Sequence, residues 1–176
     1  MTLKKPKFWD YKRPNIYSYI LWPLTILIQI INFIRAKFKK QKKFNIRSVC
    51  VGNIYIGGTG KTSLSIKINE ILSKKKIRSC FIKKSYISQI DEQKLLVSKG
   101  KLFTSKKRSE AIIEAKKDNY QIAIFDDGLQ DYSIKYDVSL VCFNNLNWIG
   151  NGMTIPSGPL RESLNNLRNY NHVFLN

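Results

Sequence analysis

The sequence predicts an α/β protein in which a parallel sheet is flanked by helices and preceded by an N-terminal membrane-associated helix. Three observations support this prediction. Short apolar runs alternate with helical patterns along most of the chain, as in βαβ units. One of these runs leads through a glycine-rich turn at 57–60 into a helical pattern. The segment 16–34 is the most apolar stretch of the 176 residues.

The apolar segment 16–34 is about long enough to cross a bilayer, which takes roughly 20 residues. Its polar interruptions are Ser18, Thr25, Gln29 and Asn32. On a helix these four side chains fall within one narrow arc. Such a helix can lie in the membrane interface, span the bilayer, or pack in a protein core, and the interface is the favoured interpretation.

Two features of this segment qualify the interpretation. Pro23 is expected to kink or interrupt the helix. The basic stretch 35–43 would add attraction to anionic lipid. We therefore predict that residues 1–45 form an N-terminal membrane-associated arm and that 46–176 form the core domain.

The chain is strongly basic, with 31 Lys and Arg against 12 Asp and Glu and a formal net charge of +19. Such a surface attracts anionic lipid, nucleic acid or phosphate-rich ligands. Abundant Lys, Asn and Ile also fit a general compositional bias, so charge alone assigns no function. No module interleaves aromatic and basic residues, so a nucleic-acid partner is not expected.

The cysteines and the single histidine indicate no metal site. Cys50, Cys80 and Cys142 lie far apart, without metal-ligand spacing, and Cys50 and Cys142 are predicted to be buried strand thiols. His172 is isolated and is expected to be structural or exposed. A reducing compartment fits this cysteine usage.

The segment 48–62 has the order of a phosphate-binding loop. A strand-like run at 48–51 precedes the glycine-rich turn, and apolar residues at helical spacing follow it. Glycines let backbone N–H groups approach phosphate oxygens, and the start of a helix adds partial positive charge. Lys61 would reach the β- and γ-phosphates, and the Thr62 hydroxyl would bind Mg²⁺. The core is therefore predicted to be P-loop NTPase-like.

The general loop pattern is incomplete, because its first glycine would stand where the chain has Tyr55. A chance glycine-rich turn before a helix is the alternative interpretation. The predicted nucleotide-binding residues are Tyr55, Ile56, Gly57, Gly58, Thr59, Gly60, Lys61 and Thr62.

Acidic residues follow a second apolar run. Asp126 and Asp127 directly follow the run 122–125. In P-loop proteins, the carboxylate that holds Mg²⁺ stands at the same place, at the end of a strand. Adjacent side chains point to opposite sides of an extended chain, so only one of the two can easily face the metal. The predicted metal ligands are Thr62, Asp126 and Asp127. An ordinary Asp-Gly turn is the alternative.

A further acidic pair, Asp91 and Glu92, opens a helical pattern at 92–97. From spacing alone, Asp91 is better explained as a helix cap than as a catalytic group.

Several motifs together resemble the tetraacyldisaccharide 4′-kinase family. They are Val-Gly-Asn at 51–53, the loop 57–62, Asp-Asp-Gly-Leu-Gln at 126–130, Gly-Asn-Gly at 150–152 and Pro-Ser-Gly-Pro-Leu-Arg-Glu at 156–162. The bunched glycines without an early glycine are that family's own variant of the loop. The segment 156–162 is not a general P-loop feature and is highly specific. The resemblance spans nearly the whole chain.

The resemblance implies transfer of the γ-phosphoryl group of ATP to the 4′-hydroxyl of a tetraacyldisaccharide 1-phosphate in lipid A biosynthesis. It implies ATP and Mg²⁺ as cofactors, and a lipid disaccharide and an anionic membrane surface as partners. The expected location is the cytoplasmic face of the bacterial inner membrane, peripheral or monotopic. Asp91, Lys61 and Asp127 carry over as catalytic residues, and Asp126 and Asp127 as the metal carboxylates.

The chain departs from the family pattern in places. The family's Ser-Arg-Gly-Tyr is Lys-Lys-Ser-Tyr at 83–86, the glycine before the acidic pair is Ile90, and a histidine is replaced by Asp131. Family members are longer, so their C-terminal part is expected to be absent. A membrane-bound P-loop nucleotide-binding protein and a truncated, inactive kinase remnant therefore stay open as alternatives. Acyl-chain specificity and oligomeric state are not predicted.

Overall fold

The fold centres on one sheet of six parallel strands, seen in a computed structural model that describes residues 5–86 and 89–176. The strands are β1 (Arg47–Gly52), β2 (Ser79–Lys84), β3 (Leu102–Ser105), β4 (Ile122–Asp126), β5 (Val138–Phe143) and β6 (His172–Leu175). Their order across the sheet is β3-β2-β4-β1-β5-β6, and every neighbouring pair is parallel. The carboxyl ends of all strands therefore meet at one edge of the sheet.

Helices make the crossovers between the first four strands. They are α2 (Lys61–Lys74), α3 (Ile90–Lys99) and α4 (Arg108–Lys117), and the N-terminal helix α1 (Ile16–Phe38) precedes the sheet. Short 3-10 helices cover Lys7–Asp10 and Leu164–Asn169. This alternation of strand and helix is the predicted P-loop NTPase-like arrangement.

Both faces of the sheet are packed. One face carries Val51, Phe81 and Ile124 against α2 and α3, with Leu96 fully buried. The other face carries Cys50, Ile82 and Phe125 against α4 and the segments around it. Alternate strand residues thus serve opposite cores, which explains why the strands read as nearly continuous apolar runs.

Apolar runs in the sequence predict strands near 48–52, 79–83, 122–126, 138–143 and 172–175, and all five strands are present. The sheet also contains β3, which was not predicted. It is only four residues long and Lys-rich sequence flanks it, so its short apolar signal resembles a surface loop.

The polar stripe of α1 packs on the protein itself. Thr25 Oγ1 lies 2.7 Å from Ser157 Oγ, Ser18 Oγ accepts a hydrogen bond from Asn151, and Gln29 donates to Thr154. These contacts join α1 to the segment that contains the specific 156–162 motif.

The apolar face of α1 is exposed. Ile16 is 70% exposed and Phe33 67% exposed, whereas only Ser18 and Thr25 of the helix are buried. The alternative of a buried core helix is therefore wrong. The helix also continues through Pro23, so the possible interruption there does not occur. By length and composition, α1 is the one helix in the described part of the chain that fits a membrane span.

Candidate active site

The glycine-rich loop follows β1 and ends at Gly60, the residue before α2. Gly57 and Gly60 have φ values of 142° and 76°, in the region that side chains disfavour. A Cβ at position 60 would also lie 2.7 Å from the side-chain nitrogen of Asn176. Glycine at these positions is therefore required for the loop to turn tightly onto the start of α2.

Side chains from neighbouring segments hold the loop. Asn53 Nδ2 donates to the Gly57 carbonyl and Asn144 Nδ2 donates to the Gly58 carbonyl, each at 3.2 Å. The buried hydroxyl of Thr59 and the buried Asn53 Oδ1 have no hydrogen-bond partner among the described residues. Buried polar atoms are rarely left unpaired, so these two atoms mark a place where a ligand can complete the hydrogen bonding.

Tyr55 and Ile56 stand at the entrance of the loop. The Tyr55 hydroxyl donates to Asp10 at 3.0 Å and accepts from Lys5, which ties it to the N-terminal segment. The Ile56 amide donates to the Pro159 carbonyl at 2.9 Å. Both residues therefore anchor the loop to its surroundings, and their contact with a nucleotide stays a prediction.

Asp126 lies at the carboxyl end of β4, directly against the start of α2. Its carboxylate oxygens are 3.3 and 3.5 Å from the Thr62 hydroxyl, and its Oδ1 is 3.5 Å from the Ser65 hydroxyl. The side chain is fully buried. The central position of β4 beside β1 produces this contact, because the two strands are in register from Arg47 with Ile122 onward.

Lys83 is an unpredicted member of the site. Its Nζ lies 2.5 Å from Asp126 Oδ2 and 2.6 Å from Glu92 Oε2, although only 1% of its side chain is exposed. Burial acts to lower the pKa of Lys83, but the two carboxylates outweigh burial and hold that pKa above its usual value. The ammonium therefore stays charged inside the protein.

Asp127 turns away from Asp126. It has a φ of 60°, and its Oδ1 accepts a hydrogen bond from Arg161 Nη1 at 3.1 Å. The same guanidinium nitrogen donates to Gln130 Oε1 at 3.2 Å. The two adjacent carboxylates thus have different partners at the sheet edge: Asp126 lies beside Thr62, and Asp127 lies beside Arg161.

A partly buried polar network supports Arg161. Gln130 Nε2 donates to Glu162 Oε1 at 2.8 Å and to the Asn53 carbonyl at 3.1 Å. Tyr170 donates its hydroxyl to the same carboxylate at 2.9 Å. The motifs at 126–130 and 156–162 are therefore joined through Arg161, Gln130 and Glu162, and the network fixes Arg161 against Asp127.

Arg108 is another arginine near Asp127, and it is buried, 9% exposed, at the first position of α4. It donates to the Asp127 carbonyl, and its Nη1 lies 3.4 Å from Asp131 Oδ2. Burial acts to raise the pKa of Asp131, but hydrogen bonds from Ser133 and the charges of Arg108 and Lys39 hold the pKa below its usual value. The basic stretch 105–108 is interpreted from the sequence as a solvated face, with phosphate or lipid-headgroup binding as the alternative, and the solvated interpretation is wrong for Arg108.

A cleft of about 530 Å³ opens beside Asp127. Basic side chains dominate its lining, with Asp127 and Asp131 as the acidic ones. The basic side chains are Lys39, Lys84, Lys106, Lys107, Arg108 and Arg161. Lys39 is the residue after α1, so the cleft connects the sheet edge with the end of the N-terminal helix.

Asp91 and Glu92 lie in the first turn of α3, which begins at Ile90 and has Gln89 at its N-cap. The cap expected for Asp91 is therefore wrong. Both acids are exposed, and Glu92 reaches Lys83. The structure thus joins Glu92 to the site through Lys83, while no side-chain hydrogen bond joins Asp91 to it within 5–86 and 89–176.

The donor set around Asp126 suits Mg²⁺. No group of three or more His, Cys, Asp or Glu residues in the described ranges could hold a metal ion alone. Mg²⁺ in phosphoryl-transfer sites is usually held by one or two protein oxygens together with phosphates and water. The Thr62 hydroxyl and the Asp126 carboxylate, 3.3 Å apart, form such a partial ligand set.

The parallel sheet, the loop 57–60 at the start of α2 and the acidic end of β4 define a P-loop NTPase-like protein. The family model described as tetraacyldisaccharide-1-P 4′-kinase matches residues 17–176. The chain belongs to this family.

Curated relatives carry the same name. A tetraacyldisaccharide 4′-kinase from Pelagibacter ubique (strain HTCC1062) is 61% identical over 176 residues, covering the whole chain and 56% of the relative. One from Shewanella halifaxensis (strain HAW-EB4) is 31% identical, covering 97% of this chain and 58% of the relative. The chain therefore spans little more than half the length of the curated relatives it matches.

A solved structure has the same fold. It is the "apo" form of LpxK from Aquifex aeolicus in complex with ATP, with a TM-score of 0.77 and 23% sequence identity. The match covers 91% of this chain and 59% of the other. It confirms the predicted arrangement of helices around a parallel sheet.

The site residues that sequence reasoning missed are mostly basic. Lys83 and Arg108 have the sequence surroundings of surface residues, and Arg161 stands out only as part of a motif. The sequence contains one sign that Lys83 is buried, because it directly follows the apolar run 80–82 in a strand. A lysine that faces inward from a strand requires carboxylate partners.

Proposed function

We propose that this chain transfers the γ-phosphoryl group of ATP to the 4′-hydroxyl of a tetraacyldisaccharide 1-phosphate. The observation that carries the proposal is the pairing of Thr62 with Asp126 on one side of the β4 end and a basic cleft beside Asp127 on the other. Nucleotide and acceptor can thus meet across one strand end. Family membership supports the proposal, as does the complex that the Aquifex aeolicus protein forms with ATP.

The nucleotide half of the proposal uses the loop and α2. The phosphates would lie at the start of α2, where the helix dipole and the loop amides favour negative charge. Lys61, the first residue of α2, would neutralise charge on the transferred group. Thr62 and Asp126 would hold Mg²⁺, which supplies charge neutralisation at the phosphate oxygens when bound.

The acceptor half uses the basic cleft. Its lysines and arginines suit the anionic headgroup of a phosphorylated sugar, because guanidinium groups bind phosphate oxygens in pairs. Asp127, held by Arg161, would face the acceptor hydroxyl. Asp91 is the further candidate for orienting or deprotonating that hydroxyl, from the first turn of α3.

The proposed membrane association rests on α1. Its exposed apolar face would lie in the cytoplasmic leaflet of the bacterial inner membrane, with residues 1–45 as the membrane-contacting arm and 46–176 as the kinase core. Lys39, at the end of α1, also lines the cleft, so an acylated acceptor could keep its chains in the lipid beside α1.

The experiment is an ATP-dependent phosphorylation assay of the lipid disaccharide 1-phosphate in mixed micelles, with mass spectrometry of the product. Wild type is compared with Lys61→Ala and with Lys67→Ala, a matched control on the exposed side of α2 that pairs with Glu70. We expect product with wild type and Lys67→Ala and none with Lys61→Ala.

Unchanged turnover in Lys61→Ala would overturn the proposal. ATP hydrolysis that is independent of the lipid would favour a nucleotide-hydrolysing regulator instead. Absence of nucleotide binding by wild type would favour an inactive remnant.

A further inference from the structure

Lys83 is a buried cation that the proposed reaction does not use. It follows the apolar run 80–82 of β2, whose residues are fully buried, and its own side chain is 1% exposed. The next residue, Lys84, lines the basic cleft. Successive strand residues point to opposite faces, which explains why two adjacent lysines have different surroundings.

The Lys83 ammonium contacts the oxygen of Asp126 that is nearer to Thr62. Asp126 Oδ2 lies 2.5 Å from Lys83 Nζ and 3.3 Å from Thr62 Oγ1, whereas Oδ1 is 3.5 Å from Thr62 Oγ1. The second partner of Lys83 is Glu92, whose side chain is 48% exposed. A positive charge is thus already placed on the carboxylate oxygen that adjoins the Thr62 hydroxyl.

We propose that Lys83 is a built-in counter-ion of Asp126 that sets the affinity of the site for divalent cations. The proposal rests on the proposed function, in that Thr62 and Asp126 are taken as the metal-holding pair. Two cations on one carboxylate repel each other, and the repulsion is strong where solvent is excluded. The ammonium therefore weakens the binding of a divalent cation at Asp126 unless further ligands, such as the phosphates of the nucleotide, offset the repulsion.

Glu92 makes this arrangement stable in the absence of a metal. A lone buried ammonium or carboxylate would be costly, whereas the three groups Asp126, Lys83 and Glu92 satisfy one another. The Lys83 charge thus keeps the site folded when no nucleotide is present, and it makes tight metal binding depend on the nucleotide's own phosphates.

The test measures Mn²⁺ binding to the full chain by electron paramagnetic resonance, without nucleotide and with ADP. The variants are Lys83→Met, Lys83→Gln and the double variant Lys83→Met with Asp126→Asn. The control is Lys94→Met, which removes one charge from an exposed position on α3. We expect Lys83→Met and Lys83→Gln to bind Mn²⁺ about tenfold more tightly than wild type, and Lys94→Met to stay within about twofold. The double variant should lose the gain.

Folding is followed in the same samples. Lys83→Met leaves Asp126 buried without its cation, so its thermal midpoint in EDTA should fall and Mn²⁺ should restore it more than in wild type. Lys83→Gln keeps a hydrogen-bond donor beside Asp126 and serves if Lys83→Met does not fold without metal.

Mn²⁺ affinity that is equal to or weaker than wild type in Lys83→Gln would overturn the proposal, as would an undetectable affinity in every variant. The nucleotide-free titration reports on Asp126 directly. A failure of the proposed function would show differently, as loss of ADP binding or of lipid phosphorylation by wild type.

Discussion

Asp127 accepts a hydrogen bond from Arg161 at 3.1 Å, while the adjacent Asp126 faces Thr62. The turn that separates them is the left-handed backbone of Asp127 itself, with a φ of 60°. Two neighbouring carboxylates are thereby divided between the glycine-rich loop and the basic cleft. Their substitutions should consequently have different kinetic signatures.

Asp126→Asn should weaken Mg²⁺-dependent nucleotide binding by about tenfold or more, because it removes the charge beside Thr62. Asp127→Asn should leave that affinity within about twofold and lower kcat, because its carboxylate faces the cleft. A fluorescent ATP analogue titrated with Mg²⁺ or with EDTA separates binding from turnover. Equal losses of nucleotide affinity in both variants would contradict this division.

Arg161→Gln should raise the KM for the lipid acceptor with little effect on nucleotide affinity. The substitution removes the donor that fixes Asp127 and Gln130, and it takes one cation from the cleft. Arg168→Gln, an exposed position in the 3-10 helix Leu164–Asn169, is the matched control and should behave as wild type. Steady-state kinetics with each substrate varied in turn gives the measurement, and an unchanged acceptor KM would refute it.

Thr25→Val and Phe33→Ser should separate the two faces of α1. Thr25→Val removes the buried contact with Ser157 and should lower the free energy of unfolding by about 1–2 kcal/mol, as measured in urea. Phe33→Ser changes an exposed apolar side chain and should leave that free energy nearly unchanged. In sedimentation with phosphatidylglycerol vesicles, a smaller fraction of Phe33→Ser than of wild type should pellet with the vesicles. Undiminished vesicle binding would argue against a membrane role for this face.

The thiols should be unreactive in the folded protein. Burial raises the pKa of Cys142 to about 11 and that of Cys80 to about 12 from a usual 9.0, and it raises the pKa of Cys50 as well. Ellman's reagent at about pH 8 should therefore detect no thiol until guanidinium chloride exposes all three.

Protein stability should also fall at alkaline pH. The unfolded thiols lose their protons as the pH rises through 9.0, while the folded ones keep theirs up to the raised pKa values. The unfolding free energy contributed by these groups is therefore complete below 9.0 and declines above it. Urea unfolding across this range gives the slope, and a rising stability would show that the thiols do not control it.

The parts of the fold that sequence predicts are those with local signals. Strands β1, β2, β4 and β5 are five or six residues long and contain apolar runs of three or four residues, and the glycines of the loop mark its turn. β3 has only four residues, so its own sequence is too short to indicate a strand. Its place in the sheet is defined by its contacts with β2 and α4. The polar arc of α1 was visible from its spacing, but its partners lie 125 or more residues away along the chain.

The charged residues of the site show more clearly what a single sequence does not predict. Lys83 meets Asp126 across 43 residues, and Arg108 meets Asp131 across 23. Sequence statistics place lysine and arginine on surfaces, and only the partner carboxylates make their burial favourable. Such pairings depend on the register of distant strands, which a single sequence does not reveal.

The attachment of α1 to the segment 151–157 has a mechanical consequence. Ser157 is four residues before Arg161, which holds Asp127, so few bonds separate the helix contact from the cleft. If α1 lies in a lipid leaflet, the height of Asp127 above the bilayer is set by packed structure and not by a loose tether. A sugar headgroup standing at that height could be reached without drawing its acyl chains out of the lipid.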